Sequence, residues 1–217
     1  MNNYALKTIT AATDYPIDST EAKAHMAIDD STFDTQIDDF IKAATAYIEN
    51  RTSRQICTAT YELIFDKFHS VNGRVYLPKG QLQSVTSVKY KDGDGVEQTL
   101  SSSEYIVSDS REPAFVEPAY SKSWPTTRLE SDAVRVRYVC GYGDSESTPE
   151  AIKQAALLLV AHMFEHREAV VFNASPQQVP MAVEALINQY RLGDEYTWYD
   201  QEPVSYTHLT LPTIYSV

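Results

Sequence analysis

His162, Glu165 and His166 are the residues whose types and spacing could most readily do chemistry. They read His-x-x-Glu-His, a spacing that puts two imidazoles on one helix face within reach of a single zinc, with the glutamate as base. A peptidase of that kind needs a further carboxylate ligand from well downstream, and little chain follows. The same residues also make an ordinary helix end, with His162 in the core and Glu165, His166 and Arg167 as its polar finish. Asp92-Gly93-Asp94-Gly95 presents two carboxylates in a loop. It lacks the third oxygen donor and the flanking helices of a calcium-binding hand, and it suits a β-hairpin turn better. Asp29-Asp30 and Asp38-Asp39 are adjacent pairs, so their members diverge on a helix or turn. Cys57 and Cys140 stand in strand-like stretches without a nucleophile's surroundings, and free buried thiols are the expectation. No Gly-x-Ser-x-Gly, phosphate-binding loop or dinucleotide fingerprint occurs. No catalytic, cofactor-binding or metal-ligating residue is assigned, no cofactor is expected, and the chain is expected not to be an enzyme.

The elements that would position these residues fall into three runs, helical, then β, then helical again. Residues 18–28 predict a short helix, with Asp18 as cap and Glu21 completing a capping box. Residues 32–50 predict a longer one. Phe33, Ile37, Phe40, Ile41, Ala44 and Ile48 recur at helical spacing, Ser31 is the expected N-cap, and Asp34 sits in the first turn where it favours the helix dipole. Strands are predicted over 61–65, 74–77, 85–90, 96–100, 105–107 and 133–139, all short and rich in Val, Tyr and Ile. In the last, Val134, Val136 and Tyr138 alternate with Arg135 and Arg137, the pattern of a sheet with one buried face. Pro113, Pro118 and Pro125 predict a loop over 111–127. Thr148 and Pro149 start a third helix, apolar on nearly every side from Ile152 to Phe164, as in a helix surrounded by neighbours. After a loop over 170–179, residues 180–192 predict a last helix, with Val183, Leu186, Ile187 and Tyr190 inward and Gly193 as its stop. The expected fold class is α+β: a small helical bundle of N- and C-terminal helices with an inserted antiparallel β module.

Charge narrows the partners. The chain of 217 residues has 18 basic and 30 acidic side chains, a net charge of −12. Residues 1–52 hold four basic against nine acidic side chains, residues 53–140 eleven of each, and residues 141–217 three against ten. A protein that grips phosphates needs a basic patch, and no stretch supplies one. No apolar run reaches the length of a membrane span, and residues 1–13 lack the basic and apolar regions of a signal peptide; no membrane role is expected. The fifteen tyrosines suit either contact surfaces or ordinary β packing.

Residues Val204–Thr213 read VSYTHLTLPT. That string is the translation of one frame of a common sequencing-library adaptor, so residues 204–217 are expected to be foreign to the natural protein, and no role is placed on His208.

Three segments carry a family likeness. One joins Ser19-Thr20-Glu21-Ala22-Lys23-Ala24-His25-Met26-Ala27-Ile28-Asp29 to residues 33–37 and 43–49. The second runs from Pro149 to Glu168, and the third from Val179 to Arg191. Together they resemble the head–tail connector, or adaptor, proteins of tailed double-stranded DNA phages, in a long form with a β insertion. The likeness covers roughly residues 17–52 and 148–192, which it makes the helical connector core; residues 56–140 form the inserted β module, resembling the family in placement more than in motif. The resemblance implies a structural virion protein at the neck, present in the host cytoplasm during assembly. It implies a ring of about twelve copies below the portal, contact with the portal and with a head-completion (stopper) or tail protein, and a channel that double-stranded DNA passes without specific binding. Another virion part (head completion or tail terminator), or a ligand-binding β module, are the alternatives; a zinc hydrolase is the remote one.

Overall fold

The computed structural model of the chain describes residues 4–68, 73–166 and 181–192. The order of elements is β1 (Tyr4–Thr10), α1 (Ser19–Met26), α2 (Asp34–Thr52), β2 (Ala59–Phe65), β3 (Val75–Tyr76), β4 (Leu82–Lys91), β5 (Glu97–Thr99), β6 (Tyr105–Ser108), β7 (Phe115–Pro118), β8 (Val134–Cys140), α3 (Glu150–Glu165) and α4 (Met181–Asn188). The fold is α+β, with a helical cluster beside two antiparallel sheets. The larger sheet has the order β1-β2-β8-β4-β5 and the smaller the order β3-β7-β6.

The helices assemble around the apolar positions that the 3.6-residue period marks. Ile37, Ile41, Ala44 and Ile48 of α2 are buried against Ile152, Ala155, Ala156, Leu159 and Val160 of α3 and against Val183 and Ile187 of α4. Leu157, Leu158 and Phe164 of α3 are only partly buried. Short α1 holds its first turn by the expected capping box: Glu21 N–H donates to Asp18 Oδ1 at 2.7 Å, and Asp18 N–H donates to Glu21 Oε2 at 3.0 Å.

Two helix starts differ from expectation. Ser31 does not cap α2; the helix begins at Asp34 behind a turn in which Thr32 N–H donates to Asp30 Oδ1 at 2.8 Å. The local Asx turn takes up the residues that the period alone would have made helical. Asp34 instead pairs with Lys23 at 2.7 Å, tying α2 to α1. Thr148 does not cap α3 either. It is buried, and its hydroxyl donates to Asp144 O at 2.9 Å.

The β layer has its own core. Along β8, Val134, Val136, Tyr138 and Cys140 are buried while the intervening residues are half-exposed, the alternation of a sheet covered on one side. Ala59, Tyr61, Leu63 and Phe65 of β2, Val75 of β3, Leu77, Val88 of β4 and Val116 of β7 complete the cluster. Two strands lie where sequence patterning placed none. β1 pairs antiparallel with β2 ahead of both N-terminal helices, so the large sheet takes its edge from outside residues 56–140. β7 lies inside the proline-marked loop and runs between β3 and β6. Gly141 closes the large sheet at a φ of 118°, where a Cβ would stand 2.6 Å from Cys57 O; only glycine lets the strand end pass so close to the α2–β2 connection. No helix among the described residues is long and apolar enough to cross a membrane. The expected loop over 170–179, the stop at Gly193 and the tail over 204–217 lie outside the described residues.

Candidate assembly surfaces

The histidine motif closes α3. His166 is the residue that ends the helix, its backbone N–H donating to His162 O. The two imidazoles meet edge to face with centroids 4.8 Å apart, both half-buried, while Glu165 is exposed. Phe164 turns the other way, edge-on to Phe33 at 5.4 Å, pinning the entry of α2. Among the described residues no three His, Cys, Asp or Glu side chains gather as a metal ion would need. Asp92–Gly95 is the turn between β4 and β5. The Asp92 carboxylate accepts from the backbone N–H of Val96 at 3.0 Å and of Asp94 at 3.1 Å, and from Gln98 Nε2 at 2.8 Å. These bonds, Gln98's foremost, hold its pKa below the ordinary value; the oxygens serve the hairpin. Asp29, Asp30, Asp38 and Asp39 are exposed.

Cys57 and Cys140 are free and buried. Burial pushes the Cys57 thiol up to about 11 and the Cys140 thiol up to about 12, so neither has thiolate character near neutrality. The tyrosines are packing residues more than contact residues. Among those described, Tyr61 and Tyr138 are buried, most others are half-buried, and Tyr120 alone is exposed, at 95%.

What remains on the surface is of two kinds. The first is acidic. An open cleft of about 460 Å³ lies between the segment before α1, the flank of α2 and the β8–α3 loop, with Asp14, Asp18, Asp38 and Asp144 at its rim, Ile17 and Ile41 lining it, and Lys42 beside them. Lys42 is engaged by Asp39 at 2.9 Å. Such a surface turns phosphate away. Several cations of the β layer are similarly occupied: Arg137 with Glu62 at 2.7 Å, Lys89 with Glu97 at 2.9 Å, Arg74 with Glu117 at 3.0 Å and Lys122 with Glu104 at 3.0 Å. The second kind is apolar. Val96, Ile106, Val107, Tyr120 and Leu129 are large, exposed, and all carried by the β layer; Ile9 on β1 and Met181 at the start of α4 complete the set. The sequence marks the identity of these residues but not their exposure, which follows from strand order and so from long-range pairing.

Residues 17–192 match the model of a protein family described as head completion protein. No curated protein matches the sequence. Among solved structures, the fold is similar to a chain of the neck of an empty gene transfer agent particle computed with C6 symmetry. The TM-score is 0.72 and the identity 22%, over 87% of this chain and 96% of that one. A chain of the neck of the native particle computed with C12 symmetry gives a TM-score of 0.70 at 22% identity over 87% and 96%. One from the virion of the native gene transfer agent particle gives 0.70 at 21% over 87% and 95%. At this identity the likeness is one of fold.

Proposed function

The chain belongs to the head completion protein family, and from that premise we propose that it is a structural subunit of the virion neck with no enzymatic activity. In this reading it is a connector (adaptor) that closes into a ring of about twelve copies below the portal, joins capsid to tail and leaves a channel for double-stranded DNA. It acts in the virion and passes through the host cytoplasm during assembly. The observation that carries the reading is the family match across residues 17–192, which spans both the helical core and the β layer. The fold it shares with the neck chains of a gene transfer agent, in reconstructions of C6 and C12 symmetry, supports a ring.

The physical chemistry is compatible with it. An exposed acidic surface, with many of the cations ion-paired, gives DNA little to hold. A wall of that kind would let a duplex slide past without sticking. The helices at 17–52 and 148–192 would form the ring's core, and the β layer at 56–140, extended by β1, would widen its contacts. Exposed apolar side chains on the β layer suit protein contacts.

A second reading has a specific observation in its favour, the family's own description. A head-completion (stopper) piece would seat on an adaptor ring, not on the portal. Binding order separates the two. Purified chain mixed with portal alone is captured if it is the adaptor. Capture only after another neck protein has bound would favour the stopper, and capture by neither would overturn the neck assignment.

A further inference from the structure

The two sheets end in four edges, and two of them are blunted. β5 has three residues, with Glu97 tied to Lys89 and within 3.7 Å of Arg135; β3 has only two residues. β1 with seven residues and β6 with four are long enough to accept a strand, and both expose apolar side chains: Ile9 at 37%, Ile106 at 48% and Val107 at 36%. β6 itself carries no charge and no proline, the devices that usually keep an edge from pairing. At β1 the ladder with β2 slips between Thr8 and Thr10, leaving Ile9 as the extra residue.

We infer that the free edge of β1 in one subunit pairs antiparallel with the free edge of β6 in the next, a contact that rests on the ring reading above. The register is set by charge. Placing Ile9 opposite Val107, with one-to-one pairing from there back along β1, sets Thr8 opposite Ser108 and Lys7 opposite Asp109, the residue that follows β6. Lys7 and Asp109 are both exposed, and among the described residues neither has an ion-pair partner. A branched apolar pair and an opposite-charge pair are favourable cross-strand neighbours. A slip of one residue sets Lys7 against Ser108 and loses the charge pair. Lys7 would also disfavour other pairings of β1, since a lysine on an edge opposes any strand that brings no acid to it. Because β1 and β6 are different strands, the contact runs head to tail. Such contacts propagate and close as a ring, where a self-pairing edge would stop at a dimer.

The test uses the full chain under the conditions in which the unaltered protein assembles. Ile9→Cys with Val107→Cys, oxidised after assembly, is expected to give a ladder of covalent oligomers on a denaturing gel. Either cysteine alone is expected to give none, since Cys57 and Cys140 are buried. Lys7→Asp and Asp109→Lys are each expected to raise the concentration needed for assembly several-fold, and the two together to restore it. Rings of unaltered mass that yield no ladder, or a charge swap that restores nothing, would overturn the strand pairing and leave the ring reading standing. A chain that never assembles, alone or beside the portal, would overturn both.

Discussion

Arg54 and Glu112 close a two-armed ion pair that joins the end of the helical layer to the loop before β7. Arg54 Nη1 donates to Glu112 Oε1 at 2.7 Å and Nη2 donates to Oε2, while Nε donates to Tyr190 O beyond α4. The Arg54 side chain is 8% exposed and that of Glu112 38%. Leu192 N–H donates to Thr52 O at 3.0 Å on the same side. One guanidinium therefore fastens α2, the end of the C-terminal helix and the β layer together.

Removing Glu112 strands a buried cation. Glu112→Ala is expected to lower the stability of the fold by about 1–2 kcal/mol, short of the loss for a fully buried pair because the Glu112 side chain is 38% exposed. Adding Arg54→Met is expected to recover part of that loss, because it removes the stranded charge. Denaturant midpoints of the two variants check this.

Acid should loosen the same joint. Arg54 holds the Glu112 carboxyl below its ordinary value, and hydrogen bonds from Tyr47 and then Arg51 do so for Glu184. A depressed carboxyl pKa contributes stability in full above the unfolded value, near 4.5, and loses it as pH falls through the folded value. Glu49 runs the opposite way. Burial raises its pKa, so its ionised form opposes folding above 4.5 and that opposition fades in acid. Its Oε1 accepts from Ile56 N–H at 3.0 Å and from Gln55 Nε2 at 2.6 Å, bonds whose acceptor a glutamine retains. Glu49→Gln is expected to be as stable as the parent or more so at pH 7, by up to about 1 kcal/mol, with the difference closing below pH 4.5. Melting curves across pH read both effects.

The Glu184 carboxylate takes the Tyr47 hydroxyl at 2.8 Å and Arg51 Nε at 2.9 Å. Half-exposed bonds of this kind contribute modestly. Glu184→Ala is expected to reduce stability by about 1 kcal/mol and to speed amide exchange in α4 before it does so in α3. Hydrogen exchange followed residue by residue separates local opening from global unfolding.

Much of this architecture is legible in the sequence, and what is not has physical causes. The capping box of Asp18 and Glu21, the spacing of Ile37, Ile41, Ala44 and Ile48, the hairpin at Asp92–Gly95 and the alternation along β8 are local signals, and the structure honours them. β1 and β7 are not local. β1 exists because residues 59–65 offer it an edge, and β7 because β3 and β6 flank it despite the prolines around it. The apparent caps at Ser31 and Thr148 fail because Asp30 and Asp144 compete for the same turns. The surfaces proposed for assembly were the least legible, since the exposure of Ile9 and Val107 depends on which strands end a sheet.

The cysteines give a simple check on the layering. With both thiols buried and pushed to about 11 and 12, Cys57 and Cys140 are expected to react with a thiol reagent at pH 8 only as fast as the fold opens. Prompt reaction of the native protein would contradict the packing of the connection between α2 and β2.

The central claim is that this chain is a ring-forming subunit of a virion neck. The mass of the full chain, measured by light scattering on a sizing column across concentrations and again after mixing with portal, tests it most directly. A mass near twelve subunits, or a concentration-driven climb toward it alone or on the portal, is the result expected. A strict monomer under every condition, with no capture by portal or by any other neck protein, would contradict it.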